Sequence, residues 1–276
     1  MGFEKVDLST SVNIGQMVSR RIQEAFKYGI DCSIISGGLL AGGIEQSIYA
    51  QSITQNYYLG SKLRMIDGRE FIYQKDAAGA AIATMRQAEA PMTNWADEVQ
   101  TAYGWAADQS KGTILITTGS VLTADEWKDG FLTVVSTGTV LGQCYKIKSN
   151  TAHETLPWVT LYDSVVSAIS ATALVTIVKN RFLDTIVVPT GALTARETGV
   201  PLIAITAGYY FWGQVKGPAP LLVDTGGALV IGDPVGNGAA VAGACDIAVT
   251  TKGHWGRVLA VQAAAEYALI DLDLGL

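Results

Sequence analysis

Only two histidines, His153 and His254, are available for proton transfer near neutral pH. His153 is followed by Glu154, but no second histidine lies four residues on, so the zinc-binding helix motif is not formed. His254 stands in "KGHWGR", a turn entering a strand, and neither histidine has a nucleophile signature such as Gly-x-Ser-x-Gly near it. The adjacent acids Asp97 with Glu98 and Asp125 with Glu126 would point to opposite faces of a strand, so neither pair makes an acid/base couple unaided. In "TADEWKDG" the pattern instead reads as a helical turn opened by Thr123 with acids in its first turn. "GDPVGNGAAVAG" is rich in glycine but lacks the Gly-Lys-Ser/Thr ending of a phosphate loop and the strand, helix and distant acid of a dinucleotide site. Cys32, Cys144 and Cys245 are too widely spaced for a zinc site or a disulfide framework, and are expected to be small buried residues. These residues suggest no catalytic centre, no metal and no cofactor.

One stretch remains that could bind something. In "GYYFWGQVKGPAPLLVD", residues 208–224, strand geometry puts Tyr209 and Phe211 on one face and Tyr210 and Trp212 on the other. A strand with aromatics on both faces is covered on both. We expect residues 208–216 to be a strand with Phe211 in the core and with Tyr210 and Trp212 against a second protein surface, where aromatics are enriched. A carbohydrate platform on Trp212 is the alternative. Pro218 and Pro220 cannot donate to a ladder, so they mark an edge or a crossing to the next strand.

The elements that must position these residues are mostly strands. Of 276 residues, 49% are apolar and only 16% charged, where about 25% charged is usual. So few charges imply a poorly charged surface, or one largely hidden against neighbours. Thirty glycines and many β-branched residues favour strands and turns. The net charge of −6 supplies no basic footprint for nucleic acid, no apolar run reaches the roughly 18 residues of a membrane helix, and Glu4, Lys5 and Asp7 do not read as a secretory signal.

Residues 1–56 read as an arm. Within it Ile14, Met17, Val18, Ile22 and Phe26 recur at helical spacing, so an amphipathic helix is expected over 13–28, its apolar stripe packing on a neighbouring subunit. Asn13 can cap its start and Gly29 its end, and "SGGLLAGGIEQ" follows as a pliable connector. Residues 57–188 read as a first β domain. It opens with a hairpin at Asp67-Gly68 and continues through "TILITT", "FLTVVST", "GQCYKIKSN", "LPWVTLYDS" and "ALVTIVKN", short runs separated by turn residues. Residues 189–276 read as a small C-terminal barrel of about five or six strands. In "EYALIDLDL", Ala268, Ile270, Leu272 and Leu274 form the core face, opposite Tyr267, Leu269, Asp271 and Asp273. The fold class is therefore mainly β, two small sandwich- or barrel-like domains behind an arm with one helix.

The segments "GFLTVVSTGTVLGQCYKIKSN", "RFLDTIVVPTG", "AGYYFWGQVKGPAPLLVD", "GALVIGDPVG" and "GHWGRVLAVQAAAEYALIDLDL" together resemble virion structural proteins of tailed bacteriophages, of the capsid decoration or cement-like kind. The likeness spans about residues 60–276 and is one of segment order, not of a catalytic motif. It implies a non-enzymatic protein assembled in the host cytoplasm, placed on the capsid exterior, contacting the major capsid protein and itself, as a homotrimer. It implies no role for nucleic acid or membrane. An acidic chain suits the outside of a capsid better than its DNA-filled lumen. A head-fibre base, a tail-associated protein and a carbohydrate-binding module are the alternatives.

Overall fold

A computed structural model of the chain describes residues 46–89, 99–101, 113–117, 121–136, 142–153, 157–169, 173–226, 228–248 and 254–276. The helix expected over 13–28, with Ile14, Met17, Val18, Ile22 and Phe26, lies outside them, as do Cys32, Asp97, Glu98 and Glu154. The described residues are all-strand and turn. In chain order the strands are β1 (Lys62–Arg64), β2 (Glu70–Lys75), β3 (Arg86–Gln87), β4 (Val99–Thr101), β5 (Thr113–Thr117), β6 (Phe131–Ser136), β7 (Cys144–Asn150) and β8 (Trp158–Leu161). There follow β9 (Leu174–Val178), β10 (Ile186–Val187), β11 (Glu197–Pro201), β12 (Tyr210–Leu222), β13 (Pro234–Asn237), β14 (Cys245–Ile247), β15 (Gly256–Ala260) and β16 (Tyr267–Asp273).

The chain divides into two compact units. One takes the described residues up to Arg86, with Val187–Ala192 and Thr198–Leu276; the other takes Gln87–Ile186 and Leu193–Glu197. This division differs from the one expected at residues 57, 188 and 189. Residues 57–86 join the C-terminal strands because β2 pairs with β12 through Tyr210↔Lys75, Trp212↔Tyr73 and Gln214↔Phe71. The Asp67-Gly68 hairpin between β1 and β2 forms as expected: Gly68 has φ +88°, a conformation glycine adopts without a Cβ clash, and Met65 N–H donates to Arg69 O at 2.8 Å.

In the second unit β4-β5-β8-β7-β6-β9 is a closed six-stranded barrel. It closes where β4 meets β9, Val99↔Val175. The alternation behind it is plain in β7, where Tyr145 and Ile147 are buried while Cys144, Lys146 and Lys148 are exposed. Leu132, Val134, Ile147, Val159, Val175 and Ile177 share its core with Trp127. Trp127 sits in the turn of "TADEWKDG". There Thr123 N and Oγ1 both donate to Glu126 Oε2 at 2.9 Å, the capping expected of this turn. Cys144, expected buried, is exposed because it falls on the outward parity of β7; Cys245 is buried.

The C-terminal strands belong to a ten-stranded sheet whose path is β10-β3-β11-β12-β16-β15-β13-β14, with β2 attached to β12 and β1 to β2. Its C-terminal strands curl until Val223, just past β12, meets Cys245 of β14 in one parallel bridge. The barrel expected over residues 189–276 is thus stitched by a single bridge, and the fully closed barrel belongs to the middle of the chain. β16 alternates as expected: Ala268, Ile270 and Leu272 are buried, and Tyr267, Leu269, Asp271 and Asp273 are exposed.

Candidate functional site

The aromatic strand is β12. Trp212 is only 4% exposed and Phe211 1%, so both are buried within the chain. This corrects the expectation that Trp212 meets a second protein. Its face is covered by the chain's own residues 46–59. The indole lies 5.1 Å from the rings of both Tyr57 and Tyr73, and Tyr73 stacks on Tyr210 at 5.9 Å with only 9° between planes. Tyr210 is half-buried by that stack, which leaves it only a partial surface to offer a partner.

The residue that organises this cluster is Gln46, the last of the glycine-rich connector. Its carbonyl accepts from Trp212 Nε1 at 3.0 Å, its Oε1 accepts from Tyr73 O–H at 2.9 Å, and its Nε2 donates to Tyr210 O at 2.7 Å. Burial pushes the Tyr73 hydroxyl up to about 12, so it stays protonated and a donor at neutral pH. The sequence marks the connector as pliable; nothing in its composition marks Gln46 as a polar hub. A sugar platform on Trp212 has no free ring face on which to be built, since Tyr57, Tyr73 and the Gln46 carbonyl already occupy the indole.

The buried titratable groups Asp76, Arg86, Asp224 and Cys245, all in the first unit, are structural. Asp76 and Arg86 form an ion pair at 0% and 1% side-chain exposure. Burial pushes the Asp76 carboxyl up despite the guanidinium beside it, and pushes Arg86 down. A pair so enclosed cannot touch a solute. Asp224 binds a loop: its carboxylate accepts from the N–H groups of Thr225 at 2.7 Å, Ala239 at 2.6 Å, Ala240 at 2.9 Å and Val241 at 3.1 Å. Burial acts to raise its pKa, but the four amides outweigh it and hold the carboxyl below its usual range. Burial likewise pushes the Cys245 thiol up to about 12, leaving it protonated and a poor nucleophile. His153 and His254 are both exposed, and Glu126 is engaged by Thr123. Among the described residues no group of three or more His, Cys, Asp or Glu could hold a metal ion.

Both units also present outward-facing strand surface. In the first unit, register places Pro220, Leu269 and Ala260 in one row across β12, β16 and β15, with Leu222 opposite Tyr267 in the next. Leu269 is 40% exposed, Tyr267 49% and the bulged Leu259 43%. The rows beyond are charged: Lys216 opposes Asp273, and Asp271 opposes both Pro218 and Arg257. The face is therefore apolar at one end and ionic at the other. In the second unit Val178, Phe131 and Lys146 oppose one another across β9, β6 and β7, and the Lys146 ammonium stands 5.4 Å from the Tyr162 ring centre. Val178 and Phe131 are about half exposed. Each unit thus presents aliphatic and aromatic groups where a sheet facing only water would carry polar ones.

Comparison of the chain with family profiles, curated proteins and solved structures gives no match.

Proposed function

We propose that the chain is a non-enzymatic virion structural protein of a tailed phage, decorating the capsid exterior and cementing it through contacts with the major capsid protein and with copies of itself in a homotrimer. The observation that carries this reading is the apolar end of the β12-β16-β15 face, where Pro220, Leu269, Ala260, Leu222 and Tyr267 adjoin by register. Burying apolar surface contributes about 25 cal/mol per Å², and symmetry repeats each contact over many copies. The ionic rows beside it, Lys216 with Asp273 and Asp271 with Arg257, fit the polar rim that surrounds such contacts. The segment-order likeness to capsid decoration proteins supplies the virion setting.

The test is cryo-electron microscopy of capsids lacking this protein after addition of the purified chain. Ordered density of the chain between capsomers is the expected outcome. Density at a tail or at the base of a head fibre would move the protein to those virion parts. Absence of binding to any particle would overturn the reading.

A further inference from the structure

The chain has one Asn-Gly dipeptide, Asn237-Gly238, at the end of β13 where the hairpin loop to β14 begins. Asn-Gly is the pair most prone to lose the asparagine amide, because glycine has no Cβ to hinder its own nitrogen from attacking the preceding side chain. Here the packing requires both residues. The Asn237 side chain is fully buried, and its Nδ2 donates to the carbonyls of Pro189 at 3.1 Å and Gly191 at 2.5 Å. A Cβ at position 238 would meet Asp224 Oδ2 at 2.7 Å and Ala244 O at 2.9 Å. The same contacts oppose the attack. They pin the amide that would leave, and they occupy the nitrogen that would arrive, since Gly238 N–H donates to Ala244 O at 2.9 Å.

The site could not hold the product. Asn237 Oδ1 is buried and has no hydrogen-bond partner among the described residues. A carboxylate would keep that unmet oxygen and would turn its other oxygen, in place of Nδ2, on the carbonyls of Pro189 and Gly191. Two donations would become two repulsions around a buried charge. An isoaspartate would in addition lengthen the main chain inside the ladder in which Asn237 opposes Cys245. Cys245 also carries the single bridge to Val223 that stitches the C-terminal strands.

We propose that Asn237 is a conformation-gated deamidation site: the closed loop keeps it intact, opening of residues 238–244 exposes it to Gly238 N, and the product keeps the loop from closing again. In the open loop Gly238 N gives its proton to solvent and bonds to Asn237 Cγ. The Cγ–Nδ2 bond breaks and the nitrogen leaves as ammonia, taking a proton from solvent, so a succinimide remains. Water then adds to either imide carbonyl, the ring opens, and an aspartate or an isoaspartate stands at position 237. The sum is one water consumed and one ammonia released, with no oxidant or reductant. Opening is local, because the loop hangs on few bonds: Gly238 to Ala244, and the amides of Ala239, Ala240 and Val241 on Asp224. The inference concerns the C-terminal strands alone and does not depend on the capsid reading.

The experiment incubates the full chain, folded and unfolded in guanidinium, at one slightly alkaline pH, and follows the peptide that spans positions 237 and 238 by mass spectrometry. Conversion should be about tenfold or more slower in the folded chain. Asp224→Asn loosens the loop, so it should speed conversion in the folded state several-fold. Chains aged in guanidinium and returned to native buffer should show the product depleted from the protease-resistant, folded fraction. Equal rates in the folded and unfolded chains, no conversion in the unfolded chain, an unchanged rate in folded Asp224→Asn, or product as abundant in the refolded fraction as in the aged sample would each overturn the proposal. Where Asp224→Asn does not fold, the natural chain in guanidinium below its unfolding midpoint takes its place. Conversion should then rise before global unfolding begins, and a rise confined to the global transition would overturn the gating.

Discussion

The two halves of β12 use one backbone strand in opposite ways. From Phe211 to Val215 every residue is buried. From Lys216 to Leu222 burial alternates, with Gly217, Ala219 and Leu221 inside and Lys216 and Pro218 outside. Between them the ladder to β2 slips: Gln214 opposes Phe71 but Lys216 opposes Glu70, so a β-bulge at Val215 turns the alternation of side chains over. The cover changes with the bulge. Tyr210, Trp212 and Gln214 share a face with Tyr73 and Phe71, and Trp212 there is covered by Gln46 and Tyr57; Lys216, opposite Glu70, and Pro218 fall on the other face and are exposed. The junction is built for the change. Gly217 takes φ +81°, and Gln214 Nε2 donates to the carbonyls of Lys216, Gly217 and Pro218 at 3.0, 3.2 and 2.9 Å. The prolines fall beyond the short ladder to β11, which engages only Gly213 and Gln214. They therefore do not end the strand; β12 runs through both to Leu222. A doubly covered half anchors the sheet, and a singly covered half leaves a face open for contact.

The sharpest way to break this comparison is to remove the cover's main anchor. Trp212→Ala should destabilise the isolated chain by about 3–5 kcal/mol, the cost of truncating a large core aromatic, measured as a shift of the urea midpoint. A folded Trp212→Ala chain of unchanged stability would mean the face is not covered from within.

Next in size is a substitution that overfills the same half. A Cβ on Gly213 would overlap the side-chain amide of Gln74, which is fully buried and has no free volume to retreat into. Gly213→Ala should cost about 1–3 kcal/mol, the usual cost of overpacking. Gln74→Ala in the same chain should recover part of it, because the overlapping amide is then gone. Additive losses in the double variant would show that the two residues do not meet.

How much of this was legible beforehand follows the same division. Where one face is bare, sequence shows it: the alternation of "EYALIDLDL" predicts the burial of β16 residue by residue. The hairpin at Asp67-Gly68 and the Thr123–Glu126 turn were legible because their signals are local. Aromatics on both faces of "GYYFW" showed that β12 was doubly covered, but not by what. The covering residues, Gln46, Tyr57 and Tyr73, lie far away in sequence, and parity carries no information about a partner so distant. The same distance hid the pairing of β2 with β12, which moved residues 57–86 into the C-terminal unit.

A smaller effect, and one with a pH signature, belongs to the end of β12's bare half. Asp224 follows the strand and holds four loop amides. Its folded pKa lies below the ordinary value of 3.8, so the stability it contributes is present above that pH and is lost as pH falls through the folded value. Asp224→Asn should therefore cost on the order of 1 kcal/mol at neutral pH and should flatten the acid limb of the stability curve. Asp76 acts in the opposite sense, because its raised pKa makes stability decline as pH rises through the interval above 3.8. The measurement is accordingly the difference between Asp224→Asn and the natural chain across pH, in which the Asp76 contribution cancels. An acid limb as steep in the variant as in the natural chain would remove Asp224 from the account.

The smallest effect on the fold is expected on the open face itself, and there it carries the functional reading. Leu269 is 40% exposed and lies between Pro220 and Ala260 in register. A charge placed there points into solvent, so Leu269→Lys should change stability by no more than about 0.5 kcal/mol, as surface substitutions usually do. An ammonium in the middle of an apolar contact, however, would be desolvated without a partner whenever that contact formed. The variant should therefore melt like the natural chain, yet bind capsids and self-associate more weakly, read by particle occupancy and by sedimentation. Asp271→Asn, one row along in the ionic part of the same face, should weaken both much less, because rim charges contribute little. Equal losses at the two positions would place the contact across the whole face. Loss of stability in Leu269→Lys would mean that the β12-β16-β15 face is covered within the chain, and the difference between the two halves of β12 would disappear.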